Sequence, residues 1–151
     1  MVLSVRLASI EDLDALVRIE MAAFDPSIYP PMSRRSFMHM ITRGHGAVLI
    51  AEEDGEALGH AVLFFRKTSR KSRLYSIAVD PAYQGGAVGK MLFDRAESYS
   101  QELGYLGMAL EIRLDNEKHK NRYMQRGYKI LCSLPDYYPD GSDGLKLYKD
   151  F

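Results

Sequence analysis

The stretch from Ser76 to Leu92, SIAVDPAYQGGAVGKML, has the makings of an anion site. An apolar, β-branched run (Tyr75, Ile77, Val79) stops at Asp80-Pro81, passes through a loop containing Gly85 and Gly86, and turns helical at Gly89. A strand, loop and helix joined this way aim unpaired backbone N–H groups and the positive end of a helix dipole at one point, which suits a phosphate or pyrophosphate. Spacing excludes two nucleotide loops. A Walker A loop needs Gly, four residues, then Gly-Lys-Ser/Thr, but Gln84 stands at the first Gly and Met91 at the hydroxyl. The dinucleotide pattern G-x-G-x-x-G fails because Gly86 and Gly89 would need a further Gly at position 84.

The second chemical feature is Glu111, a carboxylate inside the apolar strand Met108 to Ile112. An unpaired buried charge is expensive, so this side chain needs a partner or water. Period-two alternation puts it on the face of Ala109, opposite Leu110 and Ile112. On the strand alone, a solvent-facing position or an ion pair with Arg113 would satisfy it. Asn116 reads as the cap of the following helix, and Tyr123, ahead of Gly127, reads as a core aromatic.

The loop Gln84, Gly85, Gly86, Ala87, Val88, Gly89, after a strand closing in Val79-Asp80-Pro81, resembles the Q/R-x-x-G-x-G/A loop of the GNAT acetyltransferases. Ala87 replaces the first motif Gly, a change that is costly only where φ must be positive. The segment LEIRLDN, followed by Arg122-Tyr123 and Gly127-Tyr128, is similar to the family's L-E-V-R-x-x-N…L-Y-x-x-x-G-F, in the form most characteristic of the protein N-terminal acetyltransferase branch. His119 stands for a usual small residue there and Arg122 for a usual Leu. The tail from Tyr137-Tyr138 resembles the Y-Y…D-G…D-A…M closing hairpin of the same branch.

This resemblance implies an α+β GNAT-like fold: one domain over residues 1–151, with a mixed central sheet of about six or seven strands flanked by about four helices. It implies acetyl-coenzyme A as cosubstrate. The pyrophosphate would lie on the amides of residues 85 to 90, in the loop formed by Gln84, Gly85, Gly86, Ala87, Val88 and Gly89, with Lys90 assisting. The pantetheine arm would run beside Ile77, Ala78 and Val79, near Asn116. Glu111 would take a proton from the attacking amine and Tyr123 would give one to the departing thiolate. Tyr29, Tyr137 and Tyr138 would line the acceptor site. The implied acceptor is a protein or peptide N-terminal amine, whose pKa of about 8 leaves part of it neutral at pH 7, unlike a lysine at about 10.4. A small amine such as a polyamine or amino acid is the rival acceptor. A non-catalytic acetyl-coenzyme A-binding module is the rival of another class.

The elements that must position these residues can be read in order. Val2 to Leu7 alternates as a first strand, and Ser9 with Asp12 is a capping signal for a helix carrying Leu13, Leu16, Val17, Met21 and Phe24. Asp25-Pro-Ser-Ile-Tyr-Pro-Pro ends it. The connection, apolar and aromatic at Ile28, Tyr29 and Met32, leads to a helix from the cap Ser33 through Phe37, Met40 and Ile41 to Gly44. Ala47 to Glu52 and Ala57 to Phe65 flank Asp54-Gly55, a hairpin signal. After the glycine loop, Val88, Leu92, Ala96, Tyr99 and Leu103 form one apolar stripe closed by Gly104. Strands follow at Met108 to Ile112, Tyr128 to Leu134 and Leu145 to Lys149.

Composition narrows the remaining classes. Lys plus Arg is 20 and Asp plus Glu is 20, a zero balance that argues against a bulk electrostatic nucleic-acid binder. No apolar run approaches the roughly 20 residues of a membrane span, and the start lacks a signal-peptide layout, so a cytoplasmic protein is expected. Cys132 is the single cysteine and reads as a buried structural thiol. The His at 39, 45, 60 and 119 show no ligand spacing, and no metal is expected. The sequence is compatible with a homodimer.

Overall fold

The structure, a computed structural model, describes residues 2–27 and 29–151; Ile28 lies outside the described residues. One seven-stranded sheet runs in the order β1-β2-β3-β4-β5-β7-β6. Its strands are β1 (Leu3–Leu7), β2 (Gly46–Glu53), β3 (Glu56–Phe64), β4 (Lys71–Val79), β5 (Gly107–Arg113), β6 (Lys129–Leu134) and β7 (Gly144–Asp150). All neighbours pair antiparallel except β4 with β5, which are parallel. The helices are α1 (Leu13–Ala23), α2 (Arg34–Thr42), α3 (Ala87–Glu102) and α4 (Glu117–Gln125). The expected mixed α+β architecture is therefore observed.

Local chemistry accounts for the joints. Asp54 (φ 52) and Gly55 (φ 79) give the β2–β3 turn the left-handed pair that matches strand twist. The Ser33 hydroxyl accepts the Ser36 N–H to start α2, and the Asn116 side chain accepts the His119 N–H to start α4. The crossover from β4 to its parallel neighbour β5 is carried by α3.

Two apolar layers clothe the sheet. On one face, Leu63, Leu74, Met108, Leu110 and Leu147 meet Val88, Leu92, Phe93 and Ala96 of α3. On the other, Val48, Ile50 and Val62 meet Leu13 and Leu16 of α1 and Phe37 of α2. Gly59 of β3 sets the closeness of α3: a Cβ there would stand 2.8 Å from the Ala78 carbonyl and 3.1 Å from the Val88 and Leu92 side chains.

Four expectations are corrected. Helix α3 begins at Ala87 rather than Gly89, because Gly86 already has the extended conformation of a cap. Met21 and Leu103 are exposed: α1 buries Leu13, Leu16, Ile19 and Glu20 instead, and Leu103 is the residue on which α3 ends. Cys132 is exposed, because β6 is the last strand of the sheet and its residues lie open to solvent. Glu111 is paired with Arg73 rather than Arg113, because the β4–β5 register sets Arg73 opposite Ala109 on the same face.

Candidate active site

A cleft opens where β4 and β5 part. Their parallel pairing runs from Lys71↔Gly107 to Leu74↔Leu110 and stops, although β4 continues to Val79 and β5 to Arg113. The cause lies in β4. Its register against β3 passes from Leu63↔Leu74 to Val62↔Ser76, so Tyr75 is an extra residue, a β-bulge that bends and twists the strand. The bulge also reverses the alternation: Leu74 faces the α3 layer before it, and Ile77 and Val79 pack on that same layer after it. Among the described residues, β4 from Tyr75 onward has β3 on one side and no paired strand on the other.

The cleft so formed encloses about 690 Å³. Glu111, Tyr123, Tyr29, Tyr137, Tyr138 and Ile77, named from the sequence as site residues, all line it. Ala78 and Val79 do not line it, and neither do residues 84 to 90 or Asn116; they lie at the end of β4, in the loop that follows it, and at the start of α3 and α4. The Ala78 side chain is buried in the sheet, which leaves its backbone as the part able to meet a ligand.

Glu111 sits on the cleft floor, and its carboxylate oxygens lie 3.0 and 3.2 Å from Arg73 Nε. Register explains the pairing. Arg73 stands opposite Ala109, two residues from Glu111 and on the same sheet face, within diagonal reach. Arg113 is drawn elsewhere: its guanidinium bonds Ser142 at 2.6 Å and pairs with Asp140 at 2.9 Å and Asp115 at 3.3 Å. The Arg113 hydrogen bond is the main reason that the Asp140 carboxyl is lowered to about 2.

One wall is aromatic. Tyr138 meets Tyr29 edge-on at 5.5 Å and Tyr137 at 5.0 Å, and Tyr29 reaches Phe24 at 5.7 Å. Arg113 lies 5.5 Å from the Tyr138 ring. The closing hairpin is held by Asp136 N–H on Asp143 and Tyr138 N–H on the Ser142 carbonyl, while Tyr137 rests against Gly144, where a Cβ would approach its ring to 3.1 Å. Burial raises the phenols of Tyr29, Tyr137 and Tyr138, so all three stay protonated.

On the opposite wall, Tyr123 stacks on Phe93 at 5.4 Å and meets Tyr128 edge-on at 6.2 Å, which fixes its ring. Burial raises its phenol above the usual value, and its hydroxyl has no hydrogen-bond partner among the described residues. Arg122 is exposed, so a charged residue at that helix position is accommodated by solvent. His119 stands beside Tyr123, 6.2 Å between ring centroids. Asn116 Oδ1 accepts the His119 N–H, so Asn116 Nδ2, 3.0 Å from Nδ1, must donate to that nitrogen. The ring proton is thereby placed on Nε2. Burial, followed by Arg122 and Lys118, lowers the His119 pKa and keeps the imidazole neutral at pH 7.

In the loop before α3, Gly85 has φ +82, with nothing within 4 Å of the Cβ it lacks among the described residues. Gln84 Nε2 reaches back to the Val79 carbonyl at 3.2 Å and closes the loop on the strand. Among the described residues no side chain caps α3, which leaves its first-turn N–H groups available to an anion. Ala87 is the first helical residue and φ is not positive there, so its methyl costs nothing. A Cβ on Gly89 would make only an ordinary 3.7 Å contact with Val79. Packing does not demand glycine at 89, and glycine in a helix costs about 0.5–1 kcal/mol. The bare backbone at Gly89 leaves room for a ligand to approach, and the neighbouring Lys90 is exposed. These residues fit the pyrophosphate of coenzyme A.

Sequence reasoning missed Arg73, Arg113, Tyr75, Phe24 and Glu20, which also line the cleft. No motif marks Arg73; only the diagonal register to Glu111 reveals it. Glu20 could have been noticed as a carboxylate on the buried stripe of α1. It is buried, accepts the Met32 N–H at 2.9 Å, and lies 3.2 Å from buried His60 Nε2, tying down the α1–α2 connection.

Comparison with known proteins gives the family and the fold. A family model described as the acetyltransferase (GNAT) family matches residues 13–128, and the chain belongs to that family. It is an acetyl-coenzyme A-dependent N-acetyltransferase. A Bacillus subtilis (strain 168) protein, described as a candidate ribosomal protein bS18-alanine N-acetyltransferase, is 26% identical over 147 residues, spanning 96% of this chain and 93% of its own. The crystal structure of the ribosomal-protein-S18-alanine N-acetyltransferase from Escherichia coli has the same fold, with TM-score 0.85 and 22% identity over 99% of this chain and 94% of that one. So does the paia N-acetyltransferase of Thermoplasma acidophilum, solved in complex with coenzyme A, at TM-score 0.81 and 24% identity over 100% of both chains. Among the described residues, no helix is long and apolar enough to cross a membrane, and no group of three or more His, Cys, Asp or Glu could hold a metal ion.

Proposed function

We propose that this enzyme acetylates the α-amine of a protein or peptide N-terminus in the cytoplasm, by direct attack within a ternary complex. The observation that carries this reading is the single cleft that joins Glu111 and Tyr123 to the aromatic wall of Tyr29, Tyr137 and Tyr138. Its volume of about 690 Å³ exceeds what a small amine needs. The names of the Bacillus subtilis and Escherichia coli relatives point the same way.

Acetyl-coenzyme A supplies the acetyl thioester. The amides at Gly86 to Lys90 and the bare face of Gly89 hold the pyrophosphate, and the unpaired edge of β4 beyond Tyr75 takes the pantetheine arm beside Ile77 to Val79. N–H groups of β4 near Val79 polarise the thioester carbonyl. Glu111, directly or through water, accepts the proton that the amine sheds as its nitrogen bonds to the acetyl carbon. Tyr123, kept protonated by burial, donates its O–H proton to sulfur as the carbon–sulfur bond breaks with its electron pair. Asn116 keeps the start of α4, and with it Tyr123, in place.

The test is acetyl transfer to peptides of varied first residue, to polyamines and to amino acids, followed by release of coenzyme A thiol and by mass spectrometry. Peptides with a free N-terminus should react and N-terminally blocked copies should not. Reaction with small amines alone would overturn the reading.

A further inference from the structure

We infer that Arg73 recognises a carboxylate on the acceptor, so that the preferred amine carries an acid group a few ångströms away, as in a peptide that begins with Asp or Glu. This deepens the proposed function and rests on its reading of the cleft and of Glu111.

The ion pair on the cleft floor has a consequence for any amine that enters. Glu111 presents both oxygens to Arg73 Nε, at 3.0 and 3.2 Å, and its side chain is only 11% exposed. An ammonium ion approaching Glu111 on its own must share that carboxylate with a guanidinium, and the two cations repel at close range. An acceptor with both charges avoids the conflict. Its ammonium group takes Glu111, its carboxylate takes Arg73, and one ion pair is exchanged for two.

Arg73 is prepared for this exchange. Its Nη2 donates to the Tyr137 hydroxyl at 3.1 Å, and its guanidinium carbon lies 5.5 Å from the Tyr75 ring and 5.8 Å from the Phe64 ring. The aromatic faces and the phenol hold the planar group in one orientation while Nη1 has no partner among the described residues. A guanidinium fixed this way matches a carboxylate with two parallel hydrogen bonds. The other guanidinium of the cleft is committed. Arg113 is bound by Asp140, Asp115 and Ser142, and its remaining Nη1 is buried. Glu20 is bound by the Met32 N–H.

The short distance from Arg73 to Glu111 restricts where the acceptor's acid can be. In a peptide the first residue's own carboxyl is consumed in the peptide bond, which leaves the side chain of Asp or Glu. A free α-amino acid offers the same pair of charges through its α-carboxylate.

The experiment measures kcat/KM for amidated peptides that differ only in a first Asp, Asn, Glu, Gln or Ala, and for free aspartate and alanine. Asp over Asn and Glu over Gln in the unaltered enzyme should each favour the acid by at least about tenfold, the usual weight of a charge-assisted hydrogen bond. Arg73→Gln should bring both ratios close to one, and Arg73→Lys should recover part of them. Calorimetric titration with acetyl-coenzyme A reports that each variant is folded. Equal rates for Asp-first and Asn-first peptides, or a preference that survives Arg73→Gln, would overturn the inference and leave the peptide reading standing. Arg73-dependent reaction of free amino acids, with every peptide inert, would support carboxylate recognition and overturn the peptide reading.

Discussion

Gly89→Ala separates the donor site from the fold, because the two should respond in opposite directions. The added Cβ meets Val79 at 3.7 Å, ordinary contact distance, so the native packing accepts it without adjustment. Replacing a helical glycine by alanine then stabilises by about 0.5–1 kcal/mol, or roughly 1–4 °C in Tm for a chain of this size. For the donor the same methyl is an obstacle. In the proposed function it stands on the backbone where the pyrophosphate approaches the first-turn amides of α3, which no side chain among the described residues caps. Backing the phosphate away by even part of an ångström weakens at least one charge-assisted hydrogen bond, worth about 1.5–3 kcal/mol, so acetyl-coenzyme A should bind about 10- to 100-fold more weakly. Thermal unfolding without ligand and calorimetric titration with acetyl-coenzyme A measure the two effects on one preparation. A variant that is more stable and binds the donor as tightly as the parent would refute the placement of the pyrophosphate on this helix. Lower stability would refute the packing argument.

Three further outcomes are expected. Glu111→Gln should lower kcat by on the order of 10²–10⁴-fold with little change in donor affinity, and a loss under threefold would remove Glu111 as the base. Tyr123→Phe keeps the stacking on Phe93 and should slow turnover; because burial raises this phenol, the alkaline fall of kcat in the parent should lie above pH 10, and an identical fall in the variant would exclude Tyr123 as the acid. The Asp140 carboxyl, held at about 2 against an ordinary 3.8 chiefly by its hydrogen bond to Arg113, contributes stability that is fully present above pH 3.8 and is lost as pH falls through 2. Asp140→Asn should flatten the urea midpoint between pH 4 and 2, and an unchanged slope would exclude the pair from acid unfolding.

What the sequence revealed and what it withheld divide along physical lines. Local codes were legible: the Asp54-Gly55 turn, the caps at Ser33 and Asn116, the glycine loop, and the period-two strand carrying Glu111 all act within a few residues. Membership of a sheet edge is not local. Cys132 lies in a strand rich in Ile and Leu and reads as core, yet β6 ends the sheet, and nothing in its own residues says so. The partner of Glu111 was hidden for a related reason. Arg113 is the nearer residue in sequence, but it competes for Asp140 and Ser142 on the closing hairpin, and Arg73 becomes a neighbour only through the β4–β5 register. The tyrosines at 29, 137 and 138 come from loops more than a hundred residues apart and meet only because the hairpin folds back over the α1–α2 connection.

The single extra residue in β4 links the two halves of the proposed reaction. Without the bulge at Tyr75, Leu74 and Ile77 could not both face the α3 layer, and β4 could run on beside β5 with its backbone donors satisfied. The bulge turns the strand away, which leaves that backbone edge unpaired, where the proposed function puts the pantetheine arm, and opens the floor on which Arg73 and Glu111 meet. Donor groove and acceptor cleft are thus two sides of one divergence, and a change that restored regular pairing past Leu74 would close both together. That requirement explains why the bulged position carries a large aromatic residue, 38% exposed, whose ring packs on Phe64 at 4.7 Å and beside the Arg73 guanidinium. The ring that holds the bulge outward also orients the arginine beside the base, so the geometry of the strand and the chemistry of the cleft depend on the same side chain.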